Sequence, residues 1–201
     1  RYQLSPHFLS NALNSVNALI EIGESDLAQQ TVINLSNFLR YLLDHDMESE
    51  VTVKEELTAL MLYLNIEKIR FTDRLSININ VDEKANGGLI PSLIFQPIVE
   101  NSIKHAISKS EDGGEIFISV QLDHETLKIE ISDTGNNVYK DVNVAQLKNS
   151  RSIGMKNISE RLEAIYKNKH SLTYDFEQHG QFKTHIHLPF KLSKKYLHES
   201  V

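Results

Sequence analysis

From Pro6 to Ile22 the apolar residues Leu9, Leu13, Val16 and Ile20 recur at steps of three and four, which lines them along one face of a helix. Ser5 and Pro6 supply a cap and a first turn. Gly23-Glu24-Ser25 interrupts the pattern, and Leu27, Val32, Leu35, Phe38, Leu39 and Leu42 resume it to about His45. Two helices joined by so short a loop form a helical hairpin. Such a hairpin cannot bury both faces of its helices alone. Pairing two of them into a four-helix bundle is the usual solution, and it predicts a homodimer.

Beyond His45 the pattern changes. Residues 46 to 52 read as a boundary that divides the chain into a hairpin over 1–48 and a second domain over 49–201. Val51-Thr52-Val53 leads into Lys54-Glu55-Glu56-Leu57, and a third helix runs on through Tyr63 and Ile66 to Arg70. Glu55 and Glu56 beside Lys54 read as a solvated helix start. Residues 75–81, 116–120 and 127–131 alternate with a period of two, as half-buried strands do. A helix from Ser92 to about Ile107, opened by Pro91, separates the first strand from the second. Asp112-Gly113-Gly114 marks a turn, and Asp123-His124-Glu125 joins the second and third strands as a hairpin. A helix from Met155 to Tyr166 and strands at Leu172–Phe176 and Thr184–Leu188 complete the pattern. The predicted fold is an all-α hairpin followed by an α+β two-layer sandwich, with helices laid on one mixed sheet.

Composition narrows the function classes. A chain of 201 residues with 40% hydrophobic content has enough apolar side chains for a sizeable core. The formal net charge of −6 lacks the basic footprint that nucleic acid selects, so no nucleic-acid partner is expected. The absence of cysteine removes disulfides and thiolate metal sites, and fits a reducing compartment. No apolar run approaches the roughly 18 residues that span a bilayer. The chain opens without Met directly into a helix, and reads as a cytosolic piece of a longer chain whose upstream part precedes Arg1.

Three segments carry candidate chemistry: Gln96-Pro97-Ile98-Val99-Glu100-Asn101-Ser102-Ile103-Lys104-His105, Asp133-Thr134-Gly135, and Ile153-Gly154-Met155-Lys156-Asn157. On a helix Asn101 shares a face with Lys104 and His105, three and four residues on. An amide oxygen with phosphate oxygens and waters makes a reasonable Mg²⁺ shell, because this ion takes few protein ligands. Lys104 would meet phosphates. Asp133 follows a strand and precedes a glycine, so its carboxylate can accept from an adenine amino group while the backbone turns past the base. Gly154, ahead of a helix start, offers backbone N–H groups to phosphate oxygens.

The order of these segments resembles the GHKL ATP-binding fold. Within it the chain looks like the LytS/YehU-like sensor histidine kinases. Ser5-Pro6-His7-Phe8-Leu9 with Asn11-Ala12-Leu13-Asn14-Ser15 is similar to that family's phosphoacceptor box. Leu39-Arg40-Tyr41, Glu56-Leu57, Tyr63-Leu64, Ile66-Glu67 and Arg70-Phe71 resemble its helical signature, and residues 96–105 its N box. The resemblance implies ATP and Mg²⁺ as cofactors, His7 as phosphoacceptor and Asn101 as Mg²⁺ ligand. It makes Asp133 the adenine reader and puts Gly154 in the lid over the phosphates, with Lys104, His105, Gly135 and Lys156 around the nucleotide. Leu162 would pack the family's final helix. The chain departs from the family where Asn137 and Ser152 stand in place of glycines, and where Gly180-Gln181-Phe182-Lys183 replaces a Gly-Thr-rich strand entry.

An exposed imidazole one turn into a helix suits phosphoryl transfer, which asks mainly for positioning of a neutral ring nitrogen. Many histidine kinases place an acid directly after the acceptor. Phe8 occupies that position here, so the sequence names no base, while Asn11 stands one turn on as a group able to position water. His45, His124, His170, His179, His185 and His187 show no metal-ligand spacing; His185 and His187 share one strand face and, without a third ligand, read as solvated side chains. Two functions follow. The first is an autokinase that passes its phosphate to a response regulator, of the LytTR type on the resemblance. The second is a degenerate kinase that acts as a dimeric regulator-binding scaffold.

Overall fold

The computed structural model describes residues 6–46, 49–134, 152–177 and 181–197. Ser5, Gly135, Asn137 and Gly180 lie outside the described residues. The hairpin consists of α1 (Pro6–Glu21) and α2 (Ser25–Asp44). Gly23, at φ +84°, turns the chain between them in the left-handed region that glycine enters without steric cost. The Glu24 N–H donates to the Leu19 carbonyl at 2.8 Å and closes the end of α1.

The stripe that α1 buries is Phe8, Ala12, Val16 and Leu19, one position round from the predicted one. Val16 belongs to both stripes and Leu9 packs partly buried against the core, whereas Leu13 and Ile20 stay 50% and 58% exposed and face away from it.

Beyond the hairpin come β1 (Glu50–Thr52) and α3 (Val53–Phe71). A capping box starts α3: the Thr52 hydroxyl accepts from the Glu55 N–H at 3.2 Å, and a Glu55 carboxylate oxygen accepts from the Thr52 N–H at 2.9 Å. Val53, Leu57, Leu60, Leu64, Ile66 and Phe71 are buried on several sides of α3 because it lies between the hairpin and the rest of the molecule. Phe8, Ala12, Leu35 and Phe38 of the hairpin join the same contiguous core as Tyr63 and the sheet.

A five-stranded sheet follows in the order β2-β4-β5-β7-β6, formed by β2 (Leu75–Val81), β4 (Gly114–Asp123), β5 (Thr126–Thr134), β6 (Ser171–Glu177) and β7 (Gln181–Pro189). The β2–β4 pair is parallel and the others antiparallel, so the sheet is mixed as predicted. Ile116, Ile118 and Val120 of β4 and Leu127, Ile129 and Ile131 of β5 turn to the buried side, as their alternation requires. They share the core with Ile98, Val99 and Ile103 of α4 (Phe95–His105) and Met155, Ile158 and Leu162 of α5 (Ser152–Tyr166). A short α6 (Lys194–Leu197) ends the described chain.

Two boundaries differ from expectation. Pro91 closes β3 (Leu89–Pro91), which pairs antiparallel with β1, and the helix begins at Phe95 rather than Ser92. The Ser92 N–H donates to the Ser49 carbonyl at 3.0 Å and Leu93 sits at φ +57°, so neither continues into a helix. At its start α5 extends to Ser152, which puts Gly154 inside the first turn instead of ahead of it. Its N–H still belongs to the group of four without an intrahelical acceptor.

Candidate functional site

Packing of the hairpin on α3 forms a cleft beside His7. The Phe8 ring contacts Tyr63 at a centroid distance of 4.8 Å and Phe38 edge-on at 5.8 Å, and Phe38 meets Tyr63 at 5.7 Å. This triangle fixes the first turn of α1 and leaves its neighbour His7 exposed at the mouth of a cleft of about 460 Å³. The cleft is lined from α3 by Tyr63, Glu67 and Arg70, and from α4 by Glu100, Asn101 and Lys104. His7 and Asn101, nearly a hundred residues apart in sequence, thus face one space.

The details fit anion chemistry. The Asn11 amide nitrogen lies 3.1 Å from His7 Nδ1 and 3.4 Å from Nε2, so Asn11 orients the ring. Asn101 Nδ2 is buried without a hydrogen-bond partner, an amide with capacity left over. Lys104 is exposed at the cleft and Arg70 supplies a second cation. Glu67 is buried. Arg70 Nη1 lies 3.2 Å from Glu67 Oε2 as an ion pair, without hydrogen-bond alignment. Burial pushes the Glu67 carboxyl up, Arg70 pulls it down and Glu100 adds to the rise. Glu67 and Arg70 were read from sequence only as part of a helical signature. Their spacing from Tyr63, four and seven residues on, places all three on one face and is the signal that locates them.

The remaining sequence candidates lie elsewhere. His105 is 8% exposed, so it does not share the open face with Lys104, and it does not line the cleft. Asp133 has no exposed surface; in the sheet it stands beside Ile116 on β4 and Phe182 on β7. Lys156 points to solvent on α5, 3.7 Å from Glu160. Gly154 lies in the first turn of that helix. Close backbone approach does occur beside Asp133: a Cβ on Gly114 would collide with the Thr134 carbonyl.

Two readings of solvated residues are corrected. Glu56 is 2% exposed, and its carboxylate accepts from the Tyr41 hydroxyl at 2.9 Å and from the N–H groups of Leu93 and Phe95 at 2.8 and 3.2 Å. A charge run at a helix start says nothing of donors brought in by the fold from another segment. His185 is part-buried between Glu130 and Asp175, at 3.4 and 3.2 Å, because antiparallel pairing brings β5 and β6 alongside β7. Among the described residues no group of three or more His, Cys, Asp or Glu side chains is arranged to hold a metal ion.

Comparison with known proteins bears on the whole chain. The family described as histidine kinase matches residues 1–75. The sensor protein LytS of Staphylococcus epidermidis is 30% identical over 206 residues, covering 99% of this chain and 34% of its own length. The sensor histidine kinase YpdA of Escherichia coli is 34% identical over 168 residues, covering 82% of this chain and 29% of its own. The chain therefore spans about a third of these curated relatives. Among solved structures, full-length ShkA in complex with AMPPNP matches with a TM-score of 0.51 at 16% identity, over 96% of this chain and 41% of that one. No helix among the described residues is long and apolar enough to cross a membrane. A histidine kinase match over the hairpin and α3, and sequence likeness to LytS and YpdA that continues to the last strands, place this chain among the sensor histidine kinases.

Proposed function

We propose that this chain is the kinase core of a two-component sensor, taking the γ-phosphoryl group of ATP onto His7 and passing it to a response regulator of the LytTR type. The observation that carries this reading is the shared cleft of His7 and Asn101. In the transfer a ring nitrogen of His7 bonds to the γ-phosphorus as the bond to the bridging β,γ-oxygen breaks. ADP leaves, and the ring gives up its N–H proton. The Asn11 amide, at 3.1 Å from Nδ1 and 3.4 Å from Nε2, orients the ring for this attack.

The residues present fit the nucleotide. The unpartnered Nδ2 of Asn101 suits a phosphate oxygen, and the oxygen of the same amide, beside Lys104, would hold Mg²⁺, the ion supplying charge neutralisation at the transferred group. Asp133, Gly135, Gly154 and Lys156 are assigned to the adenine and the lid. His105 is assigned to seating α4, since it is buried. The ShkA complex with AMPPNP supports a nucleotide on this fold. We assign residues 1–48 to dimerisation and phosphoacceptance, and 49–201 to ATP binding. The whole is placed as the cytoplasmic part of a membrane-anchored sensor that works as a homodimer.

One observation favours a scaffold without turnover: Asp133 is fully buried with Phe182 at the strand position beside it. Incubation with γ-labelled ATP and Mg²⁺ separates the two readings. Acid-labile label that disappears in His7→Ala is expected for the kinase. No label and no calorimetric nucleotide binding would leave the scaffold.

A further inference from the structure

The first turn of α4 has no side-chain cap of its own, since Ile94 stands at its N-cap position. Its cap comes from another element. Glu56, in the first turn of α3, accepts from the Leu93 and Phe95 N–H groups, and the Tyr41 hydroxyl of α2 donates to the same carboxylate. Burial raises the Tyr41 hydroxyl pKa, and the Glu56 charge raises it further, so this hydroxyl keeps its proton as a donor. The Tyr41 ring is held by stacking on His45 at 4.2 Å. Around the pair, Arg161 of α5 lies 3.5 Å from the Ser92 hydroxyl, which donates to the Asp46 carbonyl at the end of the hairpin. Leu93 keeps its left-handed backbone at φ +57° within this network, a conformation leucine does not hold unaided.

We infer that Tyr41 and Glu56 form a latch through which the seating of the hairpin on α3 sets the position of α4, and with it Asn101 and Lys104. Glu56 is the common point of three elements: the hairpin that carries His7, the helix that carries Asn101, and α3 between them. Tyr41 and Glu56 are positioning residues, since neither lines the His7 cleft. The latch gives movement of α2 a direct mechanical route to the cleft. Its catalytic consequence rests on the kinase reading above, whereas the latch itself does not.

The test uses Tyr41→Phe in the full chain, which removes the hydroxyl and keeps the ring. Amide exchange is followed over residues 93–96, with residues 57–64 of α3 as the internal reference. Loss of the Tyr41–Glu56 hydrogen bond predicts exchange at Leu93 and Phe95 faster by about fivefold or more, with the α3 reference unchanged. The rate of His7 labelling should fall by about fivefold while KM for ATP stays within about twofold. In a Glu56→Gln background, Tyr41→Phe should add little, because the two changes break one network. Unchanged exchange at Leu93 and Phe95 in Tyr41→Phe overturns the latch. So does a raised KM with an unchanged maximal rate, which would be a nucleotide-contact effect. Faster exchange at Leu93 and Phe95 in Tyr41→Phe, together with a wild type that takes no label, would refute the kinase reading and leave the latch standing.

Discussion

The ring of Phe8 rests on the ring of Tyr63 with 4.8 Å between centroids, and this contact holds the neighbouring His7 at the mouth of the cleft that Asn101 lines. Phe8 is 4% exposed and also meets Phe38, so Phe8→Ala removes the centre of an aromatic triangle. The expected cost is about 3–4 kcal/mol in urea unfolding, the range for a buried phenylalanine truncated to alanine. His7 labelling should fall further than the folded fraction does. A denaturation midpoint equal to wild type would show that the hairpin does not depend on α3.

Glu55 gives the fold an acid-sensitive clasp. Burial opposes its ionisation, but Lys195 at 2.8 Å and the N–H and hydroxyl of Thr52 outweigh that, and its carboxyl sits at about 2 against an ordinary 4.5. A folded-state value below the unfolded one means the stabilisation is present above pH 4.5 and is lost as pH falls toward 2. Because the side chain is 40% exposed, solvent screening holds its worth to about 1 kcal/mol or less. Urea unfolding of wild type and Glu55→Gln between pH 6 and 2.5 should show a gap that narrows as the pH drops. A gap independent of pH would mean that the carboxylate charge plays no part.

How legible all this was from sequence depended on whether the signal was local. Strand β2 falls on the predicted residues 75–81, and α1 and α2 end within a residue of their predicted limits, because periodicity of apolar positions is written into neighbouring residues. β1 and β3, three residues each, are too short to alternate, and they are held by pairing across the chain. Glu56 shows the same limit at a single residue. Beside Lys54 and Glu55 it looks solvated, and its burial is explained by amides 37 and 39 positions on. Asn101 and Lys104 both line the cleft, whereas His105, one residue further, rotates into the core. Periodicity gives the angle around a helix and leaves open which side its neighbours will cover.

Gly114 starts β4 where the backbone passes against the end of β5. A Cβ there would overlap the Thr134 carbonyl and come within 2.8 Å of the Ile107 side chain. Backbone cannot yield as a flexible side chain does, so Gly114→Ala should destabilise by about 2–3 kcal/mol, at the upper end for overpacking. Thr134 also accepts the Glu115 N–H through its hydroxyl at 2.8 Å and directly follows Asp133, so the strain falls beside the residue proposed to read adenine. Thermal unfolding should show the loss, and nucleotide affinity measured below the transition should weaken with it. Affinity and stability equal to wild type would place Thr134 free to move.

The last prediction concerns the outer face of the hairpin. Leu13 at 50%, Ile20 at 58%, Val32 at 48% and Leu43 at 85% exposure leave an apolar surface on α1 and α2 that none of the described residues covers. Isolated exposed aliphatic residues are ordinary, but a series along both helices of one hairpin is what a four-helix bundle between two copies would bury. Charge on this surface costs little in a monomer, where the positions already meet water, and a great deal inside a bundle. Leu13→Lys combined with Ile20→Lys should therefore convert a dimer into a folded monomer by sedimentation velocity, with the circular-dichroism spectrum retained. Wild type that sediments as a monomer at all accessible concentrations would refute the homodimer. A double variant that remains a dimer would place the interface on another face.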